Sequence, residues 1–183
     1  MGIFGQLFGD PWYYFYLLIA GWFLSIFNIP LARTREDDII HVNLGGCMLP
    51  LLLVAHFFLK FLALLDIITL AIGIILMIIL SRIVSFYVRG KGVLIVAIVI
   101  ELISAYLACF FNVEILARLV FGYIISTLGV LIGGDLLHIH KIGSDGRWGD
   151  KLSIGGAGTK DGIWTIGIGT MFFIVVVGGF FGW

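Results

Sequence analysis

Two aspartates stand where carboxylates are rare. Asp135 follows the apolar run Leu131-Ile132-Gly133-Gly134, and Asp161 closes the string Ser153-Ile154-Gly155-Gly156-Ala157-Gly158-Thr159-Lys160. Only 25 residues lie between them. Two carboxyl groups held close in a poorly solvated site cannot both ionise, so they share a proton. One can then act as general base on water while the other protonates the reacting group. Each also has a plainer role, Asp135 as an interfacial carboxylate and Asp161 as the N-cap of the helix that follows. A cap can still do chemistry.

Other residue types offer binding rather than catalysis. Gly155, Gly156 and Gly158 permit positive φ and close backbone approach. With Lys160, and lying ahead of a helix N terminus, their amides could form an anion-binding nest. The Gly-Lys-Ser/Thr order of a Walker A loop is absent. Asn28 in Phe27-Asn28-Ile29-Pro30-Leu31 and Asn43 in His41-Val42-Asn43-Leu44-Gly45-Gly46 mark broken helix ends. Such breaks either serve a binding cavity or cap a helix beside the kink expected at Pro50. Glu101, between Ile100 and Leu102, is the deepest acid. It reads as part of a proton or ion path, or as a neutral acid bonded to a neighbouring helix. His138 and His140 are two apart and do not share a helix face, so neither a metal site nor a cofactor is expected. Cys47 and Cys109 lie in apolar runs and read as small core hydrophobes.

The elements that must position these groups follow from composition. The 183 residues are 61% hydrophobic and 12% charged, against about 25% charged for a soluble domain. A soluble enzyme is excluded. Eleven basic against eleven acidic residues leave no excess for nucleic acid. Six stretches approach the roughly 20 apolar residues of a crossing: Trp12 to about Leu31, His41 to Leu59, Ile67 to Val88, Val93 to Phe111, Ala117 to Leu137 and Ile163 to Trp183. They do not alternate as barrel strands do. The expectation is an all-α, polytopic membrane protein of about six transmembrane helices in one integral domain, residues 1–183. Asp66 should cap the third helix, and Gly129 and Gly133 should let the fifth approach a neighbour closely.

Charge orients the bundle. The first, third and fifth loops carry nine Lys and Arg, and the remaining segments carry two. The cation bias of cytoplasmic loops therefore predicts a cell-membrane protein with both termini outside and residues 33–40, 82–92 and 138–161 cytoplasmic. The expected partners are the lipid bilayer, a membrane-protein or peptide substrate, and further copies of the chain, with no nucleic acid.

The elements Asn28-Ile29-Pro30-Leu31, Val42-Asn43-Leu44-Gly45-Gly46, Gly122-Tyr123, Leu131-Ile132-Gly133-Gly134-Asp135-Leu136 and the string ending Asp161-Gly162-Ile163 resemble an uncharacterised prokaryotic family of small polytopic membrane proteins, a domain of unknown function. That likeness spans nearly the whole chain and implies no reaction. The order of Asp135 and Asp161 is more loosely similar to the intramembrane aspartyl proteases of the presenilin, signal-peptide-peptidase and prepilin-peptidase group. These place one aspartate near the cytoplasmic end of a helix and another in a Gly-x-Gly-Asp string. Here Thr159 and Lys160 intervene before Asp161, and no Tyr-Asp pair is present. Three functions are therefore open: a two-aspartate membrane hydrolase, a small transporter or proton/ion-translocating protein, and a non-catalytic scaffold.

Overall fold

The computed structural model describes residues 3–8, 12–33, 39–88, 92–112, 114–139 and 152–181. Much of the three cation-rich loops, together with Pro11 and His140, lies outside these residues. Seven α-helices are described: α1 (Ile3–Phe8), α2 (Tyr13–Leu24), α3 (Leu49–Phe61), α4 (Ile67–Val84), α5 (Ala97–Phe111), α6 (Ile115–Gly129) and α7 (Gly162–Phe181). Two π-helical segments adjoin them: Leu44–Met48 leads into α3, and Val130–Asp135 continues α6.

Apolar helices do occupy all six expected regions, but their lengths differ. The continuous helical stretches Leu44–Leu64, Ile67–Val84 and Ile115–His138 are long and apolar enough to cross a bilayer. Phe15–Leu24, Ala97–Phe111 and Gly162–Val177 are shorter. The 12 residues of α2 reach only about 18 Å.

The all-α expectation is corrected by five strands. β1 (Asn28–Arg33), β2 (Ile39–Asn43) and β5 (Leu152–Ile154) form a sheet ordered β1-β2-β5, and β3 (Ser85–Val88) pairs with β4 (Gly92–Ile95) as a hairpin. β2 is antiparallel to β1, with Asn28 opposite Asn43, and parallel to β5, with His41 opposite Ser153. The residues responsible are β-branched or aromatic: Ile39, Ile40 and Val42 in β2, Phe86, Tyr87 and Val88 in β3, Val93 and Ile95 in β4. Such side chains favour the pleated backbone. Pro30, which lacks a donor, is tolerated because β1 is an edge strand and its register slips between Pro30 and Ala32. The crossings expected to end at Val88 and begin at Val93 accordingly stop at Val84 and start at Ala97.

α6 is the centre of the bundle. Its residues from Ala117 through Thr127 are all buried, with α3, α4, α5 and α7 packed around it. The Gly129-x-x-x-Gly133 stripe meets α4, where a methyl on Gly129 would lie 2.6 Å from the Met77 Cβ and one on Gly133 would strike the Ile78 carbonyl oxygen. Asp66 caps α4 as expected: its carboxylate accepts the Thr69 amide at 2.8 Å and the Thr69 hydroxyl. Those bonds, the hydroxyl's first, hold Asp66 below the usual carboxylate range. At the same end Lys60 Nζ donates to the carbonyls of Gln6 and Leu7 at 3.1 and 2.8 Å, joining α1 to the end of α3.

The α4–α6 contact yields a paired prediction. Gly133→Ala drives a methyl into main chain and should destabilise by about 2–3 kcal/mol, within the range of core overpacking. Gly134→Ala places its methyl 3.5 Å from the nearest atom and should change stability by less than about 0.5 kcal/mol, as unstrained substitutions do. Thermal unfolding of the two variants in detergent micelles measures the difference.

Candidate functional site

Three stretches of backbone meet at the sheet-bearing end of the bundle. The end of α2 contributes Gly21 and Ser25, the first π segment Gly45 and Gly46, and the loop after β5 Gly155 and Gly158. A methyl on Gly45 would strike the Gly21 carbonyl oxygen, and one on Gly46 that of Gly155. Gly155 and Gly158 have φ of 71° and 63°, a left-handed conformation that glycine adopts without penalty.

Asn43 stitches this junction together. Fully buried, it caps the first π segment by accepting the Gly46 amide at 2.8 Å. Its Nδ2 donates to the Ser25 carbonyl at 2.7 Å and to Asn28 Oδ1 at 3.1 Å. Asn28 Oδ1 also accepts the Ser153 hydroxyl at 2.7 Å. The two asparagines therefore lie side by side and tie β1, β2 and β5 to the helix ends.

Several amides of the glycine-rich loop are committed within it. Those of Gly156, Gly158, Lys160 and Asp161 donate to loop carbonyls. The anion at the start of α7 is the chain's own: Asp161 accepts the amides of Ile163 at 3.1 Å and Ala157 at 3.3 Å. Gly156 and Lys160 are exposed.

Asp161 does not stand alone. Asp135 and Cys47 lie within reach of its charge. The three come from three elements: Asp135 ends the second π segment, Asp161 opens α7, and Cys47, 3% exposed, lies in the first π segment. Gly134 and Gly162 are close to one another through Ile95 of β4, whose side chain would lie 3.5 and 3.3 Å from methyls placed on them. Asp135 is half-buried. Burial pushes the Asp161 carboxyl above its ordinary value, and the amides of Ile163 and Ala157 pull against that rise. Among the described residues no group of three His, Cys, Asp or Glu has the arrangement of a metal site.

Glu101 lies elsewhere. Because α5 begins at Ala97, Glu101 sits in its second turn. Its carboxyl rests on bare α7 backbone, with Oε1 filling the place that a methyl on Gly169 would take. His138 is buried, and its two nitrogens bond Arg82 Nη1 at 2.9 Å and the Gly134 carbonyl at 2.6 Å.

Sequence reasoning missed Ser25, whereas Cys47 lies in the apolar core as its sequence setting predicted. Cys47 directly follows Gly45-Gly46 as Asp135 follows Gly133-Gly134. The Ser25 hydroxyl bonds the Gly21 carbonyl at 2.6 Å, an ordinary helix-end contact with no sequence signature.

The shift at Asp161 predicts a pH dependence of stability. The folded chain holds this proton more tightly than the unfolded chain. The contribution is therefore full below the ordinary aspartate value of 3.8 and is lost as pH rises through the higher folded value. Asp161→Asn keeps an oxygen for the two amides and removes the titration. Unfolding temperatures measured across pH should fall more steeply on the alkaline side of 3.8 for the wild type than for this variant. Equal slopes would exclude Asp161 as the cause.

Neither a curated protein nor a solved structure matches the chain. The comparisons lend no support to a likeness with the intramembrane aspartyl proteases. Residues 17–173 match the family described as "Protein of unknown function (DUF1614)". That span takes in the paired asparagines, both π segments and both aspartates, and the chain belongs to this DUF1614 family.

Proposed function

We propose that the chain is an integral membrane hydrolase in which Asp135 and Asp161 are the general acid–base pair, acting on a peptide bond of a membrane-embedded substrate. The observation that carries this reading is that Gly134, just before Asp135, and Gly162, just after Asp161, lie against the same two side chains, Ile95 and Val130, so the ends of α6 and α7 adjoin where the aspartates stand. Their surroundings divide the roles. Asp161 accepts two backbone amides, which favour its ionised form. It is the base. Asp135 has no such donors among the described residues and is the acid. Water attacks the scissile carbonyl carbon and gives a proton to Asp161, while Asp135 gives its proton to the carbonyl oxygen. When the tetrahedral species collapses, the departing nitrogen takes the proton held by Asp161, and Asp135 recovers its own.

The orientation follows the cations. Nine of the eleven Lys and Arg fall in the stretches 33–40, 82–92 and 138–161 of the sequence, whose described flanks lie at the sheet-bearing end, so that end faces the cytoplasm and carries the acid pair. The Lys60 end, with α1 docked on it, faces outward.

General acid–base groups contribute roughly 10²–10⁴-fold. In proteoliposomes with a fluorogenic transmembrane peptide, Asp135→Asn and Asp161→Asn should each lower cleavage by about 100-fold or more while unfolding temperatures stay near wild type. Cleavage retained in either variant would overturn the hydrolase reading.

Glu101 favours a second reading, translocation of a proton or ion, because its carboxyl lies on bare helix backbone at Gly169 of α7, seven residues beyond Gly162. Under that reading Glu101→Gln abolishes pH-gradient-driven flux into proteoliposomes and leaves peptide cleavage untouched. Silence of all three variants in both assays would leave the scaffold role.

A further inference from the structure

We propose that a hydrated pocket opens at the sheet-bearing end and runs between the last turn of α4, β3 and the segment 130–138, reaching the acid pair from behind Asp135. Its use, delivery of the attacking water, rests on the hydrolase reading; its existence does not.

The argument begins with hydroxyls. Ser81 is 0% and Ser85 6% exposed, and among the described residues neither hydroxyl has a hydrogen-bond partner, nor does the buried hydroxyl of Tyr87. A buried polar group left unpaired costs about 1–3 kcal/mol. Three orphaned hydroxyls within seven residues of chain mark a place where water completes the bonding, since a buried water takes two to four polar partners.

All three belong to elements packed on the Asp135 segment. The Ser81 Cβ would be 3.0 Å from a methyl on Gly133. Ser85 pairs with Ile95 across the β3–β4 hairpin, and Ile95 lies against Gly134 and Gly162, the neighbours of the two aspartates. Arg82 forms the pocket's polar wall. A guanidinium only donates, so His138 must accept at Nε2 and carry its proton on Nδ1, which it gives to the Gly134 carbonyl. A polar surface thus continues from Arg82 through His138 to the peptide bond that precedes Asp135.

The rest of the bundle supplies a control. Ser104 is equally buried with an orphaned hydroxyl, but it lies on α5, in the apolar packing away from β3. In full-length protein reconstituted into nanodiscs, Ser81→Cys, Ser85→Cys and Ser104→Cys are exposed to a small charged methanethiosulfonate. Peptide mapping separates the new thiols from Cys47 and Cys109. Thiol reactivity follows access to water, so Ser81→Cys and Ser85→Cys should react at least about 10-fold faster than Ser104→Cys. Hydroxyl-radical footprinting of the unmodified chain gives a second readout that no substitution disturbs: Tyr87 should be labelled well above the buried Tyr123. Thiols as slow as that of Ser104→Cys, or a Tyr87 labelled no more than Tyr123, overturn the pocket even if the acid pair proves catalytic. Fast thiols and a labelled Tyr87 establish it even if Asp135→Asn leaves cleavage intact.

Discussion

Where α2 ends, where the first π segment begins and where the chain leaves β5, main chain lies directly on main chain. A single added carbon at Gly45 or Gly46 would enter the space of a carbonyl oxygen. Close-packed interiors relax only slightly, so this contact fixes the spacing of everything attached to it. Asn43 then has a defined set of partners, and the three-stranded sheet has a defined place beneath the helices. Asp161 follows Gly155 by six residues, close enough that the turn of the loop sets its position as much as the helix it caps.

Both π segments carry an adjacent glycine pair and then a group that can ionise, Cys47 in one and Asp135 in the other. An inserted residue in a helix widens the turn and rotates the side chains that follow, and such bulges gather at functional sites. Here the two widened turns and the cap of α7 bring three titratable groups into electrostatic reach of one another. None of the three is adjacent to another in sequence. The asymmetry between the aspartates has a local origin: one stands at a helix start, where amides are unsatisfied, and the other stands at a helix end, where they are not.

What the sequence disclosed was set by range. Asp66 as a cap and Gly129 with Gly133 as a close-contact stripe depend on neighbours within a turn or two, and both are seen. The order of Asp135 and Asp161 follows from an antiparallel helix pair. The strands were hidden because short apolar runs such as Ser85–Val88 and Gly92–Ile95 do not by themselves separate a buried strand from the end of a helix. Glu101 lies nearer the start of its helix than the run from Val93 suggested for the same reason, since the helix begins at Ala97. Ser25 was passed over because its role lies in contacts made across the fold, its carbonyl accepting Asn43 Nδ2.

The edge of the larger sheet bears on how copies of this chain can meet. β1 carries Pro30 and a register slip before Ala32, so its outer border lacks one donor and breaks the regular ladder that a visiting strand would need. Lateral zipping of one molecule onto the next through that border is disfavoured from the outset. Any self-association is left to the greasy flanks of the helices, where Tyr106 and Phe110 stand outward on α5.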